Sequence, residues 1–126
     1  MPRHAGRTDL APPPAGAYAQ SVRIGPIVHA AGQGGHDPLT GELPADVAEQ
    51  TRRCLRNVEA VLQASGATLD DVVRCGVFLA DPDDFPAMNA VFEEVFTPPY
   101  PARTTVFVGL AGGMRVEIDA LAVVEG

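Results

Sequence analysis

The stretch Val72 to Leu79 is apolar at both alternating positions, and Arg74 is its only charge. A strand of that kind is suited to burial on both faces of a sheet. The doubled pattern recurs at Val106 with Phe107, Leu121 with Ala122 and Val123 with Val124. Only two amphipathic helices can be read in the chain, and two helices cover one face of a sheet this size. The second face should not be left in water. The pattern therefore predicts that another copy of the chain covers it, giving a homo-oligomer in which a site at a sheet edge falls between subunits.

The elements follow in an order that fits this reading. Residues 1–16 are rich in Pro, Gly and Ala and read as an irregular N-terminal arm. Tyr18, Gln20, Val22 and Ile24 alternate as in a strand, Gly25-Pro26 breaks the run, and Ile27 to Ala31 supplies a second strand. A loop from Gly32 to Pro44 carries the turn pairs Asp37-Pro38 and Thr40-Gly41. Val47, Thr51, Cys54, Leu55, Val58, Val61 and Leu62 then share one helical face, with Asp46 as N-cap and Gly66 as the left-handed stop. Thr68 with Asp71 predicts a single capped turn before the Val72 strand. Phe85, Met88, Phe92, Val95 and Phe96 repeat at helical spacing, with Pro86 in the first turn, and Pro98-Pro99-Tyr100-Pro101 ends that helix. Strands at Arg103–Gly109 and Met114–Val124 flank Ala111-Gly112-Gly113. The prediction is one α+β domain, residues 1–126, in the order β-β-α-β-α-β-β, with one mixed sheet and both helices on one face.

Composition narrows the function. The formal net charge is −7, and no Lys/Arg stripe is present, which argues against nucleic acid as a partner. No run approaches a membrane span. Arg3 and Arg7 are not followed by an apolar stretch, so no secretory signal is expected and the cytoplasm is the expected location. The two cysteines, Cys54 and Cys75, have no zinc-like spacing and read as buried thiols of a reducing compartment. His4, His29 and His36 match no metal spacing, and His29, within a strand, reads as a hydrogen-bonded structural residue. Gly32-Gln33-Gly34-Gly35 lacks the Gly-Lys-Ser/Thr of a phosphate loop. Asp83 and Asp84 read as first-turn acids that suit a helix dipole.

Two charges stand out. Arg103 opens an apolar strand behind the stiff Pro101-Ala102. It is either a strand-end arginine reaching for water or a guanidinium that clamps a carboxylate through two parallel hydrogen bonds. Glu117 lies between Val116 and Ile118. It is either an outward strand residue or a general base or acid acting on water or a substrate nitrogen.

The chain from about Ala11 to Val124 resembles the Rid family of reactive intermediate deaminases, also called the YjgF or L-PSP endoribonuclease family. The resemblance is carried by Ala15-Gly16-Ala17-Tyr18-Ala19-Gln20, Ala31-Gly32-Gln33, Asp37-Pro38-Leu39-Thr40-Gly41-Glu42-Leu43, Asn57, and Asp84-Phe85 with Asn89. It continues through Pro101-Ala102-Arg103-Thr104-Thr105-Val106 and Val116-Glu117-Ile118 with Ala120 and Ala122. It implies a chorismate-mutase-like fold and a homotrimer with clefts between subunits. It implies cofactor-free, metal-free hydrolysis of enamines and imines such as 2-aminoacrylate and 2-iminopropanoate, giving a 2-keto acid and ammonia. Arg103 matches the arginine that binds the substrate carboxylate, and Glu117 the glutamate that positions the attacking water. Tyr18 and Asn89 match cleft-lining residues. Thr105 matches a position whose backbone contacts substrate, with Gly32 beside it.

The resemblance leaves other functions to weigh: a pathway-specific imine or carbonyl substrate, a non-catalytic binding trimer, or RNA cleavage, which the acidic charge opposes. Ala31 stands where a hydroxyl residue is common. The interval from Arg103 to Glu117 is one residue shorter than in many members. A one-residue change flips a strand's side chains unless a turn absorbs it, as Ala111-Gly112-Gly113 can.

Overall fold

A computed structural model of the chain describes residues 2–125. Six strands form one sheet: β1 His4–Gly6, β2 Ser21–Ile24, β3 Ile27–Gln33, β4 Val72–Leu79, β5 Ala102–Phe107 and β6 Val116–Val123, in the spatial order β1-β2-β3-β6-β4-β5. All pairings are antiparallel except β4 with β5. That parallel pair needs a crossover, and the second helix supplies it. Helices α1 Val47–Gln63 and α2 Phe85–Val95 lie on one face. The α+β architecture matches the expectation from sequence, and so does the element order from β2 onward.

The helix-covered face is the core. Along β6, Val116, Ile118, Ala120 and Ala122 are fully buried while the residues between them are not. They meet Val28 and Ala30 of β3, Val77 and Leu79 of β4, and the α1 stripe through Cys54, Leu55, Val58, Val61 and Leu62. Each fully buried Val, Leu or Ile contributes about 1.5–3 kcal/mol relative to exposure. Helix α1 is delimited where its sequence indicates. Asp46 Oδ2 accepts from the Glu49 amide at 3.0 Å, and Gly66 takes a φ of +86° that only glycine adopts freely. Asp71 Oδ2 accepts from the Thr68 amide at 2.8 Å, forming the expected capped turn.

The opposite face carries Ile27, His29, Phe78, Val106, Glu117, Asp119, Leu121 and Val123, none of them buried in the single chain. Val73 and Arg74 are also exposed, so β4 is not covered on both faces by this chain alone.

Three sequence expectations are corrected. The arm is not wholly irregular: His4–Gly6 pairs with Ser21–Arg23. Gln20, 3% exposed, fastens it, accepting from the Thr8 amide and donating to the carbonyls of Thr8, Ala11 and Pro12. His29, read as a hydrogen-bonded structural residue, lies exposed on the open face. Asp84 is not a solvated first-turn acid. It is 5% exposed, makes no side-chain cap bond and holds Arg115 through two contacts, Nε to Oδ2 at 3.1 Å and Nη2 to Oδ1 at 2.6 Å.

Candidate active site

Arg103 is paired in register with Cys75, and Cys75 with Ala120. Both partners are buried beneath the helices, so Arg103 points to the helix-covered face at the sheet's edge. There α2 receives it. Its guanidinium carbon lies 4.8 Å from the Phe92 ring centroid and 5.4 Å from that of Phe85. Its Nη2 donates to Asn89 Oδ1 at 2.9 Å, and Nη1 approaches Met88 Sδ at 3.7 Å. Asn89 Nδ2 donates to Glu93 at 3.2 Å, which fixes the amide with its oxygen toward the arginine. Each cation–π contact is worth roughly 0.5–2 kcal/mol, so the planar group is held in place before any ligand arrives. Arg103 and Asn89 line a cavity of about 310 Å³ with Phe92, Glu93, Tyr100 and Pro101. Thr105, paired with Val77, follows Arg103 on the same face.

Glu117 is paired with Phe78 and projects from the open face. The alternation of β6, with Val116 and Ile118 buried on either side, leaves it no other choice. The loop before it absorbs the short interval: Gly112 has a φ of +58°, and the Met114 amide donates to Ala111 O at 3.3 Å. Glu117 lines a second hollow of about 220 Å³ with Tyr18, Gln20, Gly32, Gln33, His36 and Met114. Gly32 leaves the Glu117 carboxylate its place there, because a Cβ on it would stand 2.7 Å from Glu117 Oε2 and displace it. Partial burial raises the Glu117 carboxyl above its ordinary range, and the nearby charge of Asp119 adds to the shift. The Tyr18 hydroxyl accepts from the Ala15 amide at 3.0 Å, which braces the arm beside the hollow.

The six residues singled out from the sequence thus fall into two groups. Arg103, Asn89 and Thr105 gather at the β5–α2 edge, on the helix-covered side. Tyr18, Gly32 and Glu117 gather at the end of β3 and the start of β6. Within one chain, Arg103 and Glu117 lie on opposite faces, two strands and three residues apart, so their Cα atoms are on the order of 14 Å from each other by strand geometry.

Two groups of residues escaped the sequence reading. One is the Asp84–Arg115 pair together with Gln50, which is 1% exposed. Gln50 donates to Pro44 O and Gly113 O and accepts from the Arg115 amide. These bonds anchor Arg115, two residues before Glu117 and just ahead of β6. The other is His36, which shares the hollow with Glu117. Arginine followed two residues later by glutamate gives a weak hint of the first, and a histidine just after a glycine run a weak hint of the second. The cysteines are inert by environment: burial raises both thiols, Cys75 to about 12. Among the described residues no helix is long and apolar enough to cross a membrane.

The fold and the two hollows define an α+β domain with polar sites at its sheet edges. The chain belongs to the endoribonuclease L-PSP family, whose model matches residues 8–124, the Rid or YjgF family of the sequence resemblance. It is 40% identical over 126 residues to a 2-iminobutanoate/2-iminopropanoate deaminase of Dermatophagoides farinae, with 98% of each chain covered. It is 42% identical over 120 residues to the protein of that name in Escherichia coli K12, covering 92% of this chain and 94% of that one. Among solved structures, E. coli TdcF with bound serine superposes with a TM-score of 0.92 at 38% identity, covering 97% of this chain and 99% of that one.

Proposed function

We propose that this protein is a hydrolytic deaminase of small 2-imino acids and their enamine tautomers, of the 2-aminoacrylate and 2-iminopropanoate type, releasing a 2-keto acid and ammonia. The observation that carries the reading is the immobilised Arg103 guanidinium at the wall of an open cavity, a geometry suited to a carboxylate. The deaminase relatives over nearly the full chain, and the serine bound by TdcF, support the same substrate class.

The two half-sites join when a second copy lays its open face and arm against the β5–α2 edge. The uncovered apolar positions of β3, β4 and β6 support such a partner, and a closed homotrimer satisfies every copy with one repeated contact. In the joined site Arg103, oriented by Asn89, fixes the substrate carboxylate, with backbone groups at Thr105 beside it. Glu117 from the neighbouring copy, with Gly32 and Tyr18, holds a water against the imine carbon. An imine carbon is already electrophilic, so placing water and substrate together supplies much of the acceleration. The carboxylate's acceptance of the water proton adds roughly 10²–10⁴-fold. No step calls for a cofactor or a metal. An RNA-cleaving role is disfavoured by the net charge of −7.

The test is ammonia release from 2-iminopropanoate generated in the assay. The protein is expected to speed it well above the buffer rate, and Arg103→Ala to abolish the effect while leaving the fold intact. A wild-type rate equal to buffer would remove the enzymatic reading, and full activity in Arg103→Ala would remove the clamp.

A further inference from the structure

Two glycines two residues apart leave room for two titratable side chains. A Cβ on Gly32 would meet Glu117 Oε2 at 2.7 Å, and a Cβ on Gly34 would meet Met114 Cε at 2.8 Å and His36 Nδ1 at 3.0 Å. The carboxylate and the imidazole thus rest against nearby positions of one segment, and both line the same hollow of about 220 Å³, which has room for a small molecule or a water.

The imidazole is carried on a loop that is tied down. Asn57 of α1, 2% exposed, donates to Gly34 O and His36 O, each at 3.0 Å. The Asp37 amide donates to Glu42 O at 2.8 Å. Glu117 of β6 and Tyr18 of the arm face the same hollow. In the loop itself, the Asp37 carboxylate accepts from the amides of Leu39 and Thr40, and the charge of Arg53 on α1 acts on it.

The geometry points to His36 as a second proton-transfer residue of the deaminase reaction, working beside Glu117 in one hollow. This rests on the function proposed above. Hydrolysis of an imine moves protons twice, and one carboxylate cannot accept a proton from water while giving one to nitrogen. In the assigned cycle, imidazolium His36 gives its proton to the imine nitrogen. Water then adds to the carbon, forming the C–O bond, and its proton goes to the Glu117 carboxylate. The product is a neutral carbinolamine. Glu117 next returns its proton to the amine nitrogen. The C–N bond breaks, with its electron pair leaving on ammonia, as neutral His36 takes the hydroxyl proton and the C=O bond forms. Both residues end as they began, and the sum is imine plus water to ketone plus ammonia. Histidine suits this exchange because it is the side chain whose charge changes between about pH 5 and 8.

His36→Gln is expected to lower kcat for 2-iminopropanoate roughly 10²-fold, at the lower end of general acid–base effects, with KM within about threefold. Added imidazole is expected to restore turnover to His36→Ala in a saturable manner, and to do nothing comparable for Glu117→Gln. Wild-type kcat in His36→Gln would overturn the assignment. So would a fall in His36→Ala that imidazole does not restore, which would make the residue structural. A wild-type protein no faster than buffer would instead remove the deaminase reading itself, so the two failures are distinguishable.

Discussion

The two half-sites are built differently. The Arg103 cavity is a rigid wall: a planar cation lies against two aromatic rings, an asparagine fixes its fork, and the helix-packed core stands behind it. The Glu117 hollow has a floor of glycine backbone, an arm laid across its rim and a carboxylate of raised pKa. The first is suited to recognition, which needs a fixed fork. The second is suited to proton transfer, which needs a group near its switching point and space for water. The side suited to recognition thus lies next to the core, and the side suited to chemistry lies on the open face of the sheet.

Substitutions on the two sides should separate these roles. Arg103→Ala is expected to have the largest effect, a loss of about 10³-fold or more in kcat/KM, and Arg103→Lys is expected to recover little because an ammonium cannot reproduce the bidentate fork. Steady-state rates and binding of a keto acid measure both. Glu117→Gln should lose roughly 10²-fold in kcat while keeping keto-acid affinity, since the carboxylate clamp lies elsewhere. Gly32→Ala should cost about tenfold in kcat with the fold retained, because its methyl displaces Glu117 by steric contact alone.

The smallest effect concerns pH. A carboxyl whose folded-state pKa is raised favours the folded state most below its unfolded pKa, and that contribution is lost as pH rises through the folded value. Glu117→Gln should thus melt slightly higher than wild type at neutral pH, with the difference closing in acid. Wild-type kcat should fall with acidification at a higher pH than a fully solvated glutamate would give, as Glu117 protonates. Melting curves and a pH–rate profile read the two limbs, and their opposite signs at one residue mark stability given up for function.

The sequence was most informative where a local rule decides the structure. The α1 stripe, its Asp46 cap and its Gly66 stop are local, and the helix appears between them. The facing of Glu117 was left open by the shortened interval before it, and the burial of Val116 and Ile118 on either side decides it. Strand β1 was not legible, since His4-Ala5-Gly6 has no apolar alternation and its placement depends on Gln20 collecting carbonyls along the arm. Asp84 looked like any first-turn acid, because the partner that buries it lies 31 positions on. Arg103 could not be assigned a face from an edge strand with weak alternation. Its direction is set by α2, through contacts with Phe85, Asn89 and Phe92 that no spacing rule encodes. The family resemblance singled out these residues as a set but did not reveal that one chain carries Arg103 and Glu117 on opposite faces.

In the joined site proposed here, Arg103 of one copy works with Glu117 of another. Mixing settles it. Arg103→Ala and Glu117→Gln proteins, each slowed about 10²-fold or more, are denatured together in equal amounts, refolded and assayed for ammonia release from 2-iminopropanoate. If each site takes its two halves from different chains, random assembly leaves about one site in four with both halves intact, and the mixture should recover about that share of wild-type activity. A mixture no more active than its two components would contradict the account, because every chain would then need both residues for itself.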